Sequence, residues 1–210
     1  MFSLLQKLPT VVTDPYPHFI IEDALPNDIY DQLEREWPEK QLLGTEPYDN
    51  GICYRLKADE MLKPGKVSDL WKKFTEYHTS VEFYNEVKSV FKDYITDISN
   101  IENRLSPRGW DKGNDMIGTD CQTVMHTPIN FSSRTPHIDN PREIYAGLLY
   151  MPYAEDVSTG GEFQIHKTVA QITRVNKNGG RAVESRDQGN IIKSVPYKRN
   201  TFVMFCNNSS

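Results

Sequence analysis

Long apolar runs are missing from this sequence. Nothing in it approaches the ~20 consecutive apolar residues that a membrane-spanning helix requires. The opening Met1-Phe2-Ser3-Leu4-Leu5-Gln6-Lys7 also lacks the cationic start, apolar stretch and small-residue cleavage site of a secretory signal. Neither a membrane partner nor export is therefore expected. Cysteine is scarce: Cys53, Cys121 and Cys206 are odd in number and far apart, with no Cys-x-x-Cys pair. Structural zinc and thioredoxin-like chemistry have no support in that pattern. A chain of 210 residues can bury a real core without a disulfide staple, and a reducing, cytoplasmic compartment is the simpler expectation. Positive charge is short as well, with 24 Lys and Arg against 29 Asp and Glu, a net charge of -5 and a pI of about 5.6. Broad binding to a phosphate backbone depends on clustered Lys and Arg. Nucleic acid is thus not the expected partner, and Lys72-Lys73 and Lys198-Arg199 read as solvated surface.

What is present describes an ordinary globular chain: 38% hydrophobic and 25% charged residues, without internal repeats or low-complexity tracts. One domain over 1–210 is expected. Its texture changes once, near 105–118, where Ser106-Pro107-Arg108-Gly109 and Lys112-Gly113-Asn114-Asp115 supply turn residues. Residues 1–115 read as mainly helical support. A short strand at 18–22 leads to a helix capped by Asn27 or Asp28, with Ile29, Leu33 and Trp37 on its apolar face and Pro38 ending it. A second helix is expected over 68–77. The clearest one carries Val81, Tyr84, Val87, Val90, Phe91, Tyr94, Ile95 and Ile98 at spacings of three and four, a packing face. From 116 to 210 the segments are short and β-rich. Strands are expected at 122–127, 145–151, 162–166, 169–175, 190–195 and 201–206, separated by turn clusters as in an antiparallel sandwich or barrel. Helices followed by strands make an α+β domain with helices packed on a β core.

The chemistry-bearing pattern is His137-Ile138-Asp139, bracketed by Pro136 and Pro141. Residues i and i+2 of an extended chain project to one side, so both donors can reach a single ion. Two imidazoles and one carboxylate on one face, with open positions opposite, suit a non-haem Fe(II) that activates O2. The bare spacing is common by chance, and an Asp capping a turn beside a surface His would produce it equally well.

Several further segments, in order, carry a resemblance to the prolyl 4-hydroxylase-like branch of the 2-oxoglutarate/Fe(II) oxygenases. His137-Ile138-Asp139-Asn140-Pro141 resembles the first metal motif, and Ala146-Gly147-Leu148-Leu149-Tyr150-Met151 the next core strand. Ser158-Thr159-Gly160-Gly161-Glu162-Phe163 is similar to the Gly-Gly lead into the following strand. Asn200-Thr201-Phe202-Val203-Met204-Phe205 resembles the strand that precedes the second metal histidine. Pro17-His18-Phe19-Ile20-Ile21-Glu22-Asp23-Ala24-Leu25-Pro26 is similar to the strand-then-helix opening of the branch. The resemblance implies a double-stranded β-helix, or jelly roll, with an N-terminal helical layer. It implies Fe(II) and 2-oxoglutarate as cofactor and co-substrate, with ascorbate as a further candidate. The implied activity is hydroxylation of a peptidyl (prolyl or other) or small-molecule substrate.

On that resemblance His137 and Asp139 are the metal ligands. Tyr150 matches a position from which a hydroxyl meets the co-substrate carboxylate, although a locally satisfied core tyrosine reads equally well. Thr127 is placed near the same pocket, and Asn140 and Arg142 beside the motif. Gly160 and Gly161 read as architectural. The chain departs from the pattern after Cys206: neither the second metal histidine nor the arginine for 2-oxoglutarate is present before Ser210. The last core strand is expected to be missing, the chain to be a truncated oxygenase, and activity to be impaired. His126, His166 and Lys167 do not match the ligand positions, and His18 and His78 fall in the expected helical layer. A non-catalytic jelly-roll module for binding or structural work is the alternative. An unprotected sheet edge would favour a homodimer.

Overall fold

In a computed structural model, the described residues are 2–48, 51–107, 116–126, 137–139, 143–167, 172–175, 181–184 and 191–207. The elements in chain order are β1 (His18–Ile21), α1 (Asn27–Arg35), β2 (Gly44–Tyr48), β3 (Gly51–Leu56), α2 (Ala58–Met61), α3 (Asp69–His78) and α4 (Val81–Val90). They continue as β4 (Leu105–Pro107), β5 (Ile117–Thr119), β6 (Thr123–His126), β7 (His137–Ile138), β8 (Tyr145–Tyr150), β9 (Phe163–His166), β10 (Ile172–Val175), β11 (Arg181–Glu184), β12 (Ile191–Val195) and β13 (Thr201–Cys206). The protein is α+β. Its sheets have the orders β1-β13-β8, β10-β11-β7, β12-β9, β2-β3-β6 and β4-β5; all pair antiparallel except the last, and no closed barrel forms among the described residues. The chain divides into two compact units: one of Met1–Gln6, Leu25–Val90 and Thr96–Ser132, the other of Lys7–Ala24, Phe91–Ile95 and Ser133–Ser210.

The first unit holds all four helices. Neither Asn27 nor Asp28 caps α1 as the sequence suggests. Pro26 occupies the N-cap without a side-chain hydrogen bond, and Asp28 lies in the first turn, where a carboxylate complements the helix dipole. The helix buries Tyr30 and Leu33. Trp37, just past its end, meets Trp71 of α3 edge-on at 5.4 Å. Ser68 caps α3 by accepting from the Trp71 amide at 3.3 Å, and the Trp71 indole donates to the Leu33 carbonyl at 3.0 Å. The long apolar stripe forms a helix only to Val90, after which one turn closes by the Ile95 amide donating to the Phe91 carbonyl. The hairpin β2–β3 was not evident from the sequence, and β6 joins it as the third strand.

The second unit is built around β13, which pairs with β1 on one side and β8 on the other. Alternate β13 side chains fill opposite faces. On one face Phe202 meets Phe19 edge-on at 6.0 Å, and Phe19 stacks on Phe91 at 5.3 Å. On the other, Phe205 stacks on Phe163 of β9 at 5.6 Å. A strand buried on both faces reads as a continuous apolar run, as Thr201-Phe202-Val203-Met204-Phe205-Cys206 does. Gly147 of β8 makes this packing possible: a Cβ there would lie 2.9 Å from the Phe202 ring and 3.1 Å from the Met204 methyl.

Candidate metal centre

β7 is a two-residue strand held in register by β11, with His137 opposite Glu184 and Ile138 opposite Val183. That extended backbone gives His137 and Asp139 the i, i+2 relation a shared ion needs. The His137 side chain lies outside what the structure describes. Asp139 follows β7 directly and is partly buried.

The surroundings of Asp139 include a residue that the sequence reading missed. The Tyr16 phenol is pushed up to about 12, first by burial and then by the negative charge of Asp139. Tyr16 therefore keeps its proton over the physiological range. Its ring meets Phe205 edge-on at 6.0 Å and tilts against the His18 ring at 5.5 Å. His18 is 1% exposed, with Nδ1 2.8 Å from the Tyr16 carbonyl and Nε2 buried without a partner. The strand expected at 18–22, within the helical layer, is β1, and it pairs His18 with Phe205 in the second unit. No motif flags Tyr16, which lies far from Asp139 in the sequence.

The end of β13 reaches the same neighbourhood. The Cys206 amide donates to the Pro17 carbonyl at 3.0 Å, and the Asn207 amide to the Ile144 carbonyl at 3.1 Å. The Tyr16 ring, which feels the charge of Asp139, thus packs against Phe205 near where the backbone leaves β13.

Tyr150 ends β8 opposite Thr201. Its phenol is pushed up to about 12 by burial and by Glu162 and Tyr197, while a backbone hydrogen bond at Phe163 acts the other way. A bond that favours the charged form is one the hydroxyl oxygen accepts, so the Phe163 amide is the donor. The Tyr150 ring stands perpendicular to Tyr197, at 87° and 5.1 Å. Gly160 and Gly161 have φ of +89° and +78°, a conformation in which other residues are strained.

The remaining candidates separate. Thr127, Asn140 and Arg142 lie outside the described residues. His126 is exposed on β6, opposite Cys53, in the first unit. His166 is partly buried on β9, opposite Ile191, and Lys167 is exposed. Among the described residues no group of three His, Cys, Asp or Glu side chains is arranged to hold a metal. Cys53, Cys121 and Cys206 are all free thiols, and burial pushes those of Cys121 and Cys206 up to about 12, which makes them poor nucleophiles. No helix among the described residues is long and apolar enough to cross a membrane.

No family model matches the chain, and no curated protein or solved structure matches it.

Proposed function

We propose that the chain carries part of the site of a 2-oxoglutarate- and Fe(II)-dependent dioxygenase acting on a peptidyl or small-molecule substrate, built on a jelly-roll core. The observation that carries this reading is the neighbourhood of Asp139. Asp139 is partly buried and its charge is felt at the Tyr16 phenol, whose ring meets Phe205 of β13, the strand that resembles the one preceding the second histidine in that family.

The donors present fit two of the three ligand positions that such an iron needs. His137 and Asp139 would hold it, and their imidazole and carboxylate suit Fe(II). When bound, iron with 2-oxoglutarate and O2 supplies the oxidative chemistry of hydroxylation. The charge of Asp139 helps to hold the proton on the Tyr16 phenol. Tyr150, kept protonated by burial, is the residue that the resemblance sets against a co-substrate carboxylate. On this side of the sheet Phe163 stacks on Phe205 at 5.6 Å.

With two ligands the chain is expected to bind Fe(II) weakly. An anaerobic titration with Co(II) as spectroscopic stand-in should show one weak site. Asp139→Asn and His137→Ala should each lower its affinity by about tenfold or more. Binding untouched by both substitutions would remove the metal assignment. Uncoupled conversion of 2-oxoglutarate to succinate by the 210-residue chain should be near background; robust iron-dependent succinate formation would show that the ligand set is misread. Reading the gene past Ser210 separates enzyme from non-catalytic module. In-frame codons for a nearby His and a later Arg favour the enzyme, and a stop codon favours the module.

A further inference from the structure

We infer that residues 2–6 are a latch: a locally folded segment, clasped to the α3–α4 corner by Glu86, that opens and closes while the rest of the chain stays folded. The latch belongs to the first unit and does not rest on the iron centre.

The clasp is one carboxylate shared by two hydroxyls from distant segments. Glu86, on α4, accepts from the Tyr77 hydroxyl of α3 at 2.6 Å through Oε1, and from the Ser3 hydroxyl through Oε2. Hydrogen bonds to an ionised acceptor are roughly twice as strong as neutral ones. The Tyr77 phenol is pushed up to about 12, first by burial and then by its bond to Glu86, and so keeps its proton to donate. Its ring meets His78 edge-on at 5.4 Å and lies 6.1 Å from Phe83. That sets the clasp at the corner where α3 gives way to α4.

The segment is folded by its own bonds. The Leu5 amide donates to Ser3 Oγ at 3.0 Å, and Gln6 Nε2 donates to the Ser3 carbonyl at 3.0 Å. Ser3, Leu4 and Leu5 are buried, whereas Gln6, Lys7 and Leu8 are exposed, Leu8 at 87%. No residue from 2 to 6 belongs to a helix or a strand, so the segment can leave without breaking a ladder. Just beyond it, the Lys7 ammonium donates to the carbonyls of Glu22 at 3.1 Å and Asp23 at 2.7 Å, and the chain is fixed there. When Ser3 leaves, Glu86 keeps Tyr77 and is only partly buried, so water replaces one hydroxyl and no buried charge is left unpaired. Opening uncovers the apolar seat of Leu4 and Leu5, and the latch thereby switches a surface of the first unit between hidden and open.

The test is native-state hydrogen exchange on the full chain in low urea, followed at the Leu5 amide and at the amides of β13. Leu5 is expected to exchange at least about tenfold faster than β13 and with a shallower dependence on urea, the mark of a local opening. Glu86→Gln leaves the bond between Leu5 and Ser3 in place but loosens the clasp. It should speed exchange at Leu5 by about tenfold with β13 unmoved. Leu5→Cys gives a second reading: alkylation at position 5 should outpace that of Cys206, which is 2% exposed within β13. Adding Ser3→Ala or Glu86→Gln should widen that gap. Exchange at Leu5 in step with β13, or rates at position 5 indifferent to both substitutions, would overturn the latch. Either result leaves the cobalt titration as it is, so this inference and the iron reading fail separately.

Discussion

His78 shows how much one side chain can weigh in this fold. Its ring is 7% exposed, 4.0 Å from Phe74 and 4.6 Å from Phe83, with Nδ1 bonded to the Phe74 carbonyl and Nε2 buried without a partner. Burial lowers its pKa from 6.5 to about 4, and the Phe74 bond opposes that only in part. The unfolded chain takes up a proton near 6.5 and the folded one only near 4. The contribution is therefore fully present above pH 6.5 and is lost as the pH falls toward 4. A shift of this size corresponds to about 3 kcal/mol. Urea unfolding at pH 7 and pH 4.5 should show a loss of stability in the native chain that exceeds the loss in His78→Leu by about 2 kcal/mol. Equal losses in the two proteins would mean that His78 is not the group responsible. At the same scale the His-x-Asp spacing was legible because both residues sit on one short segment. Tyr16 was not, because the effect of Asp139 on it joins segments far apart in the chain.

Elements were legible where local pattern and burial agree. Ser68 before an apolar-periodic run announces α3, and its hydroxyl does accept from Trp71; Ser68→Ala should cost about 1 kcal/mol in thermal unfolding. The continuous apolar run of β13 marks a strand buried on both faces. Gly147 is a different matter, since nothing local distinguishes it from a flexible residue. The Phe202 ring lies where its side chain would be, and Gly147→Ala should overpack the sheet at a cost of about 1–3 kcal/mol. Denaturant titration checks this, and an unchanged midpoint would mean that the ring moves aside freely. The β2–β3 hairpin escaped notice because Pro47 reads as a strand breaker. It is tolerated because β2 is the edge of its sheet, where a missing amide donor leaves no broken ladder. β11 escaped for another reason: Arg181-Ala182-Val183-Glu184 is too short and too charged to show a strand period.

At the scale of the whole molecule, β8 is the exposed seam. It pairs with β13 on one side and with no strand among the described residues on the other. Tyr145-Ala146-Gly147-Leu148-Leu149-Tyr150 contains no charge and no proline, so it has none of the features that usually blunt a free edge. An uncharged strand of this kind can pair antiparallel with its own copy about a two-fold axis. A concentration-dependent dimer is expected in sedimentation or solution scattering, and Leu148→Lys should shift it to monomer. A monodisperse monomer at high concentration would count against pairing through this edge.

By itself the sequence determined the α+β class, most helix and strand positions and the His137–Asp139 pair, because periodicity, capping and i, i+2 spacing act over a few residues. Tertiary structure alone decided which strands pair and what surrounds the pair. It set β1 and β8 on either side of β13, laid Phe202 over Gly147, packed Tyr16 against Phe205 and turned Tyr197 against Gly161. Each of these joins segments far apart in the chain, where packing and hydrogen-bond satisfaction of the whole unit choose among partners that local pattern leaves equivalent.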